Sequence, residues 1–188
     1  MLRIVNLEEI QNLLLRVSGI VELSEQRDLN FVSSVKKWLT ELECALKNNH
    51  LPTSANIASL RGNIISAEQG NIPAGINFRG RATKRKIIEA TASQSIGQAV
   101  DTVTCSIQKD VERVNEAERI TRQLVSIAKS KGLITELPHG KNFAAMLRLI
   151  WQKMSADQVL SQGIVSVEGL VGPNDALLIL DRTITADK

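Results

Sequence analysis

The sequence feature that most constrains the fold is a stretch without proline, residues 83–131, in which apolar residues recur at helical spacing. Ten apolar positions advance 31 residues in nine steps from Ile96 to Ile127, or about 3.4 residues per step. This is close to the 3.5-residue repeat of helices that pack in a bundle or coiled coil. The pattern predicts one long helix over about residues 83–131, ending at Gly132. Unbroken, such a helix would be roughly 70 Å long, so we expect it either to protrude or to bend at Gly97.

Apolar residues at helical spacing also predict helices on both sides of the long one. On its N-terminal side, three series cover residues 10–21, 32–46 and 57–65. The second of these should end within residues 48–50, because Pro52 disfavours a helical conformation for the residue before it. On its C-terminal side we expect a helix over residues 143–151. A short sixth helix should follow, since Ser155 and Gln158 have the spacing of a capping box.

The C-terminal segment, residues 164–184, fits two structures. Short aliphatic runs flank a turn-forming tetrad, residues 172–175, with the sequence Gly-Pro-Asn-Asp. A β-hairpin and a helix capped by Asn174 are both compatible with it, and short apolar runs do not distinguish them by period. The hairpin is slightly favoured. We therefore predict a helical bundle over residues 1–135 and a small C-terminal helical subdomain over residues 136–188, which contains either the hairpin or the capped helix.

Composition supports a mainly α fold, a multi-helix bundle around the long central helix. Hydrophobic residues make up 43% of the 188 residues, so a core can form, but aromatic residues make up only 3% and Tyr is absent. Ile, Leu, Val and Ala must fill the core, which suits packed helices better than a β-sandwich. The two cysteines, Cys44 and Cys105, have apolar neighbours and are expected to be small core residues rather than metal or redox groups.

Positive charge is concentrated in one short segment, residues 79–86, which we call the basic cluster. The net charge is +3, yet residues 1–78 and 87–188 together sum to −2, because they carry 18 basic and 20 acidic residues. The basic cluster contributes +5 without an acid. Cations at the start of a helix oppose its macrodipole, and a bound polyanion would relieve that repulsion. Acids from another helix, or solvent, would do the same. The five cations are Arg79, Arg81, Lys84, Arg85 and Lys86.

No motif for catalysis, cofactor binding or metal binding stands out. Gly70 and Gly75 have the spacing that opens a phosphate-binding loop, but no Lys and Ser/Thr pair follows them. Glu136 and His139 have Glu-x-x-His spacing in one copy only, with a proline between them. His50 and His139 are the only histidines, and each lies beside turn residues. We expect no enzyme, no cofactor and no metal site, with dispersed catalytic residues as the third-ranked reading.

Two functional hypotheses follow. The first is a non-enzymatic helical subunit of a larger assembly, or a homo-oligomer, whose basic cluster contacts a DNA or RNA backbone without reading its sequence. The alternative is a protein–protein adaptor, in which the long helix offers an apolar seam to partner helices and the basic cluster binds an acidic protein surface. The seam residues are Ile96, Val100, Val103, Ile107, Val114 and Leu124.

Nothing in the sequence predicts a membrane protein. The N-terminus has acidic residues at Glu8 and Glu9, too early for a secretory signal, and no apolar run approaches the ~18 residues of a membrane span. A cytoplasmic location is therefore expected.

Overall fold

The computed structural model describes residues 1–71, 83–134 and 143–186. These described residues form eight α-helices and no β-strand, and 84% of them are helical. The predicted mainly α fold is confirmed. In chain order the helices are α1 (Ile4–Leu15), α2 (Val17–Glu25), α3 (Phe31–Asn48), α4 (Ser54–Glu68), α5 (Lys84–Ser130), α6 (Phe143–Ala156), α7 (Ser161–Val171) and α8 (Pro173–Ala186).

The long helix is confirmed by α5, whose 47 residues match the predicted range to within one residue at each end. Gly97 lies inside α5 without interrupting it. Gly132 follows the helix with a φ of 70°, a left-handed conformation that glycine adopts at no steric cost. The chain divides into two compact units within α5, between Gln108 and Lys109, whereas the sequence places a boundary near residue 135.

The N-terminal unit comprises Leu2 and residues 4–108. Its centre is α3, which packs against α1, α2 and α4. Trp38 of α3 is buried, and its Nε1 donates a hydrogen bond to the backbone oxygen of Leu13 at 2.8 Å. Burying this indole with a satisfied N–H ties α3 to α1. The other buried aliphatic residues of this unit include Ile4, Leu7, Ile10, Val35, Leu39, Leu42, Leu46, Ile57, Ile64, Ala99 and Val103.

The C-terminal unit comprises Met1, Arg3 and residues 109–188. In it α6, α7 and α8 pack against one another. Trp151 of α6 donates from Nε1 to Glu168 Oε1 of α7 at 2.8 Å, and Lys131 Nζ contacts both carboxylate oxygens of Asp157, at 2.7 and 2.8 Å. Its buried residues include Val114, Ala117, Leu124, Leu147, Ile150, Met154, Leu160, Ile164, Val167, Ile179, Leu180 and Ile184.

The predicted C-terminal β-hairpin is wrong, because the turn-forming tetrad joins two helices. Gly172 ends α7 with a φ of 80°, and Pro173 is the first residue of α8. Proline suits that first position, where its fixed φ is helical and its missing N–H would have no intrahelical partner. Asp175 then lies in the first turn of α8, where a carboxylate is favoured by the helix macrodipole. The aliphatic runs on either side supply buried residues to both helices, among them Ile164, Val167, Ile179 and Leu180.

Local details of the N-terminal helices depart from the sequence pattern in part. The first predicted helix is two helices, which meet at Arg16. The second predicted helix ends at Asn48 as expected, and His50 follows with a φ of 56°. The prediction of core cysteines is wrong, since Cys44 and Cys105 are both exposed.

The junction of α6 and α7 also differs from its prediction. Ser155 and Gln158 do not cap a short helix, because α6 extends to Ala156 and α7 begins at Ser161. Asp157 organises the intervening turn instead, where its Oδ1 accepts hydrogen bonds from the backbone N–H groups of Val159 and Leu160 at 2.9 and 3.2 Å.

No single helix in the described ranges has both the length and the apolarity of a membrane span. The consecutive helices Ser161–Val171 and Pro173–Thr185 meet the length and apolarity of a span only when they are taken together, and the chain bends by 113° between them.

Candidate nucleic-acid interface

The described part of the basic cluster forms the start of α5. Thr83 caps this helix, since its Oγ1 accepts a hydrogen bond from the backbone N–H of Lys86 at 3.4 Å and its carbonyl accepts from Ile87 at 3.1 Å. Threonine is a common residue at this position because its side-chain oxygen satisfies an otherwise unpaired N–H. Lys84, Arg85 and Lys86 therefore occupy the first three positions of the helix.

These three cations are exposed, and the first turn of α5 contains no acidic residue. Cations near a helix N-terminus are disfavoured by roughly 0.3–1 kcal/mol each when exposed. Within the described residues neither Lys84 nor Lys86 forms an ion pair. Arg79 and Arg81, the other two cations of the basic cluster, lie outside the described residues.

Arg85 differs from its two lysine neighbours because it has partners. Its Nε donates to Glu89 Oε1 at 2.6 Å, one turn along the same helix, and its Nη2 lies 3.4 Å from the backbone oxygen of Arg27. Arg27 is in the left-handed region with a φ of 56° and begins the turn that leads into α3. Arg85 thus connects the start of α5 with that turn.

A cleft of about 490 Å³ lies beside the start of α5, and we call it the α5 cleft. It is formed within the N-terminal unit by the turn before α3, the first turn of α3, the end of α4 and the first two turns of α5. The wall combines aliphatic, acidic and basic side chains. Its lining residues are Asp28, Leu29, Val32, Glu68, Lys84, Arg85, Ile88 and Glu89.

The carboxylates of the α5 cleft are already engaged in part. Glu89 pairs with Arg85, and Glu68 Oε1 pairs with Lys36 Nζ at 2.6 Å. Asp28 Oδ1 accepts a hydrogen bond from the backbone N–H of Asn30 at 2.7 Å. Two of these acids come from other parts of the chain, so the sequence around the basic cluster gave no indication of them. Within the part of the chain that the structure describes, none of the three acids forms an ion pair with Lys84 or Lys86.

Leu29 is the most exposed aliphatic residue of the α5 cleft. Its side chain is 82% exposed at the turn between α2 and α3, whereas Val32 and Ile88 are half-buried. An isolated exposed leucine is common on protein surfaces. Here it lies in one cleft with two other aliphatic side chains and a lysine, which forms an amphipathic surface that periodicity could not reveal.

The predicted seam of α5 is part of the protein's own core. Five of its six residues are buried and Val100 is half-buried. The expectation of an uncovered seam for partner helices is therefore wrong for these residues, because the rest of the chain covers them. The five buried residues are Ile96, Val103, Ile107, Val114 and Leu124.

Within residues 1–71, 83–134 and 143–186, no three His, Cys, Asp or Glu side chains are arranged to hold a metal ion. Gly75 and the pair Glu136 and His139, considered from sequence, lie outside those ranges. His50 is exposed.

Comparison of the chain with known proteins yields no matching family model, no similar curated sequence and no similar solved structure.

Proposed function

We propose that this protein is a non-enzymatic, cytoplasmic helical subunit of a larger assembly or a homo-oligomer, and that its basic cluster contacts a nucleic-acid backbone. The observation that carries the proposal is the start of α5. There Lys84, Arg85 and Lys86 are exposed, no acid shares their turn, and two of them are unpaired within the described residues. Adding Arg79 and Arg81 gives five cations within eight residues.

Phosphate groups suit this surface for two physical reasons. The first turn of a helix presents backbone N–H groups and the positive end of the macrodipole, both of which favour an anion. Lysine and arginine side chains then add point charges and bidentate donors, respectively, for phosphate oxygens. Such contacts hold a duplex or a single strand by its backbone and carry no direct sequence information.

Binding of duplex DNA at low salt tests this proposal. We expect the triple variant Arg81→Ser, Lys84→Gln, Arg85→Gln to bind roughly tenfold or more weakly than the wild type, because three phosphate contacts are lost. The loss should be equal on two unrelated sequences. Fluorescence polarisation with labelled duplexes measures both.

A matched control removes the same charge from elsewhere on the surface. Lys37, Lys47 and Lys153 are exposed residues outside the basic cluster, and their joint replacement by Gln lowers the net charge by the same three units. This control should bind within about threefold of the wild type, because it leaves all five cations of the basic cluster in place. Equal weakening in the two triple variants would refute a localised contact.

Because the seam residues of α5 are largely buried, the adaptor hypothesis is reduced to its second part, the binding of an acidic protein surface by the basic cluster. The same titration with poly-glutamate distinguishes the two hypotheses. Tighter binding to poly-glutamate than to duplex DNA of equal charge would favour the adaptor.

A further inference from the structure

The α5 cleft offers three kinds of surface to one ligand. Leu29, Val32 and Ile88 form aliphatic walls, three carboxylates supply hydrogen-bond acceptors, and Lys84 supplies a cation that is unpaired within the described residues. Its volume of about 490 Å³ falls within the range of roughly 300–1,000 Å³ that is usual for ligand sites. A phosphate alone would use only Lys84 and Arg85 of this lining.

The carboxylates restrict which groups can enter the cleft. Ionised Asp and Glu accept hydrogen bonds and cannot donate them, and a carboxylate has about four acceptor positions. Within the described ranges, Glu68, Glu89 and Asp28 make one side-chain contact each, with Lys36, Arg85 and the Asn30 N–H, and so keep acceptor capacity. A ligand that enters beside them must be a donor, as the exocyclic amine of cytosine or adenine is.

A nucleotide in a single strand combines these properties. Its base has two flat apolar faces, an amine on its edge in cytosine and adenine, and a phosphate on either side. In a duplex the faces are stacked and the amines are paired, so a base would have to be extruded before it could enter. In a single strand an unstacked base is available at much lower cost.

We propose that the α5 cleft takes up one unstacked base of a single-stranded nucleic acid. It prefers a base with an exocyclic amine, and a neighbouring phosphate contacts Lys84. This inference rests on the proposed backbone contact and adds the kind of strand that is bound. It does not require the aromatic stacking platform that this chain lacks, because aliphatic side chains cover the faces of the base.

The first test compares labelled oligomers of equal length at low salt and neutral pH: oligo(dC), oligo(dU), an abasic strand and a duplex. Cytosine and uracil have the same ring size but differ at position 4, an amine against a carbonyl, and at N3, an acceptor against an N–H donor, so they form a pair matched in size and opposite in hydrogen bonding along that edge. We expect oligo(dC) to bind about fivefold or more tightly than oligo(dU) and the abasic strand, which is the lower end of the discrimination given by one good base contact.

Glu89→Gln separates base recognition from charge. The substitution keeps the size of the side chain, removes one carboxylate and frees Arg85 from its ion pair. Affinity for every oligomer should rise through the added positive charge, while the ratio of oligo(dC) to oligo(dU) affinity should fall towards one, because the new amide also donates to the uracil carbonyl. A ratio that stays at its wild-type value would overturn the role of this carboxylate.

Leu29→Ser tests the aliphatic wall, with Leu15→Ser as its control. Both leucines are highly exposed in the N-terminal unit, at 82% and 73%, and only Leu29 lines the α5 cleft. We expect Leu29→Ser to weaken oligo(dC) binding about threefold or more without affecting the abasic strand, and Leu15→Ser to change neither. Equal effects of the two substitutions would contradict the proposal.

The outcomes separate this inference from the proposed function. Salt-dependent binding that is equal for oligo(dC), oligo(dU), the abasic strand and the duplex would overturn the base site and leave the backbone contact standing. Binding to none of these probes at low salt would overturn both.

Discussion

Gly163 of α7 provides a sharp test of how the C-terminal unit is packed. A Cβ added at Gly163 would lie 2.7 Å from Leu124 Cδ2 and 3.3 Å from its Cδ1 and Cγ. Gly169, on the same helix, is a matched control, because a Cβ added there meets no atom within 4 Å. The two Gly→Ala substitutions therefore gain the same helix propensity, and they differ only in whether the added methyl group contacts Leu124.

The expected magnitudes follow from these distances. Alanine in place of a glycine inside a helix stabilises by up to about 1 kcal/mol. At Gly163 this gain is opposed by contacts shorter than the ~3.5–4.0 Å optimum between carbon atoms. Leu124 is only 6% exposed, so its side chain must move within a packed interior, at a cost of about 1–3 kcal/mol. Gly163→Ala should lower the free energy of unfolding by about 1 kcal/mol, and Gly169→Ala should raise it by ~0.5–1 kcal/mol.

Urea denaturation followed by far-ultraviolet circular dichroism measures both changes in the full chain. A double-mutant cycle with Leu124→Ala adds a direct test, since removing the opposing methyl groups should make Gly163→Ala less destabilising, with an interaction energy of about 1 kcal/mol or more. If Gly163→Ala stabilises the protein as much as Gly169→Ala does, α7 does not pack on Leu124 as described.

Three further predictions concern other parts of the chain. Val103→Asp places a carboxylate at a fully buried position and should destabilise the fold by several kcal/mol. Circular dichroism should show this as a loss of helical signal. A variant that stays folded and changes only its self-association would contradict the burial of Val103. Gly97→Ala should stabilise the protein by up to about 1 kcal/mol and so raise the midpoint of urea denaturation, because a Cβ added at this position of α5 meets no atom within 4 Å. A lower midpoint would show that another group packs against Gly97. The pKa of Asp157 is lowered by the hydrogen bond from Lys131 and, to a smaller extent, by those from the Val159 and Leu160 N–H groups, while desolvation opposes the shift. Ionised Asp157 therefore stabilises the fold above the unfolded-state pKa of about 3.9. This stabilisation is lost as the pH falls through the lowered native pKa. Lys131→Met should raise that pKa in a carboxylate-detected NMR titration, and an unchanged pKa would exclude the pair.

Helix positions in this chain could be predicted well where apolar periodicity is long. The repeat over residues 83–131 located α5 almost to the residue, because a 47-residue helix samples the 3.6-residue period many times. The short apolar runs around Gly172 and Pro173 did not distinguish strand from helix, because four consecutive apolar residues are compatible with both the 2-residue period of a strand and the 3.6-residue period of a helix. The feature that indicated a helix was Pro173 itself, since proline is favoured as the first residue of a helix.

Burial was harder to predict than helicity. Cys44 has apolar neighbours in sequence, but it lies two positions from Leu42 and from Leu46, which are both buried. At 100° per residue, a two-residue offset points a side chain to a different face of the helix. The seam of α5 was identified as apolar, yet periodicity does not reveal whether the same chain or a partner covers it.

The candidate site was predictable only in its charge. Lys84, Arg85 and Lys86 are conspicuous in sequence because they are neighbours. The α5 cleft also contains Leu29 and Glu68, which come from other parts of the chain and lie beside the start of α5 only because of how the helices pack. No local pattern marks either residue.

The salt dependence of DNA binding tests the central claim most directly. For the wild type on duplex DNA, the logarithm of the association constant should fall linearly with the logarithm of salt concentration. Five phosphate contacts give a slope of about −4.5 on duplex DNA and of about −3.5 on a single strand. The triple variant Arg81→Ser, Lys84→Gln, Arg85→Gln should flatten this slope by about two to three units. An unchanged slope in a well-folded triple variant, or no measurable binding by the wild type at low salt, would contradict a backbone contact through the basic cluster.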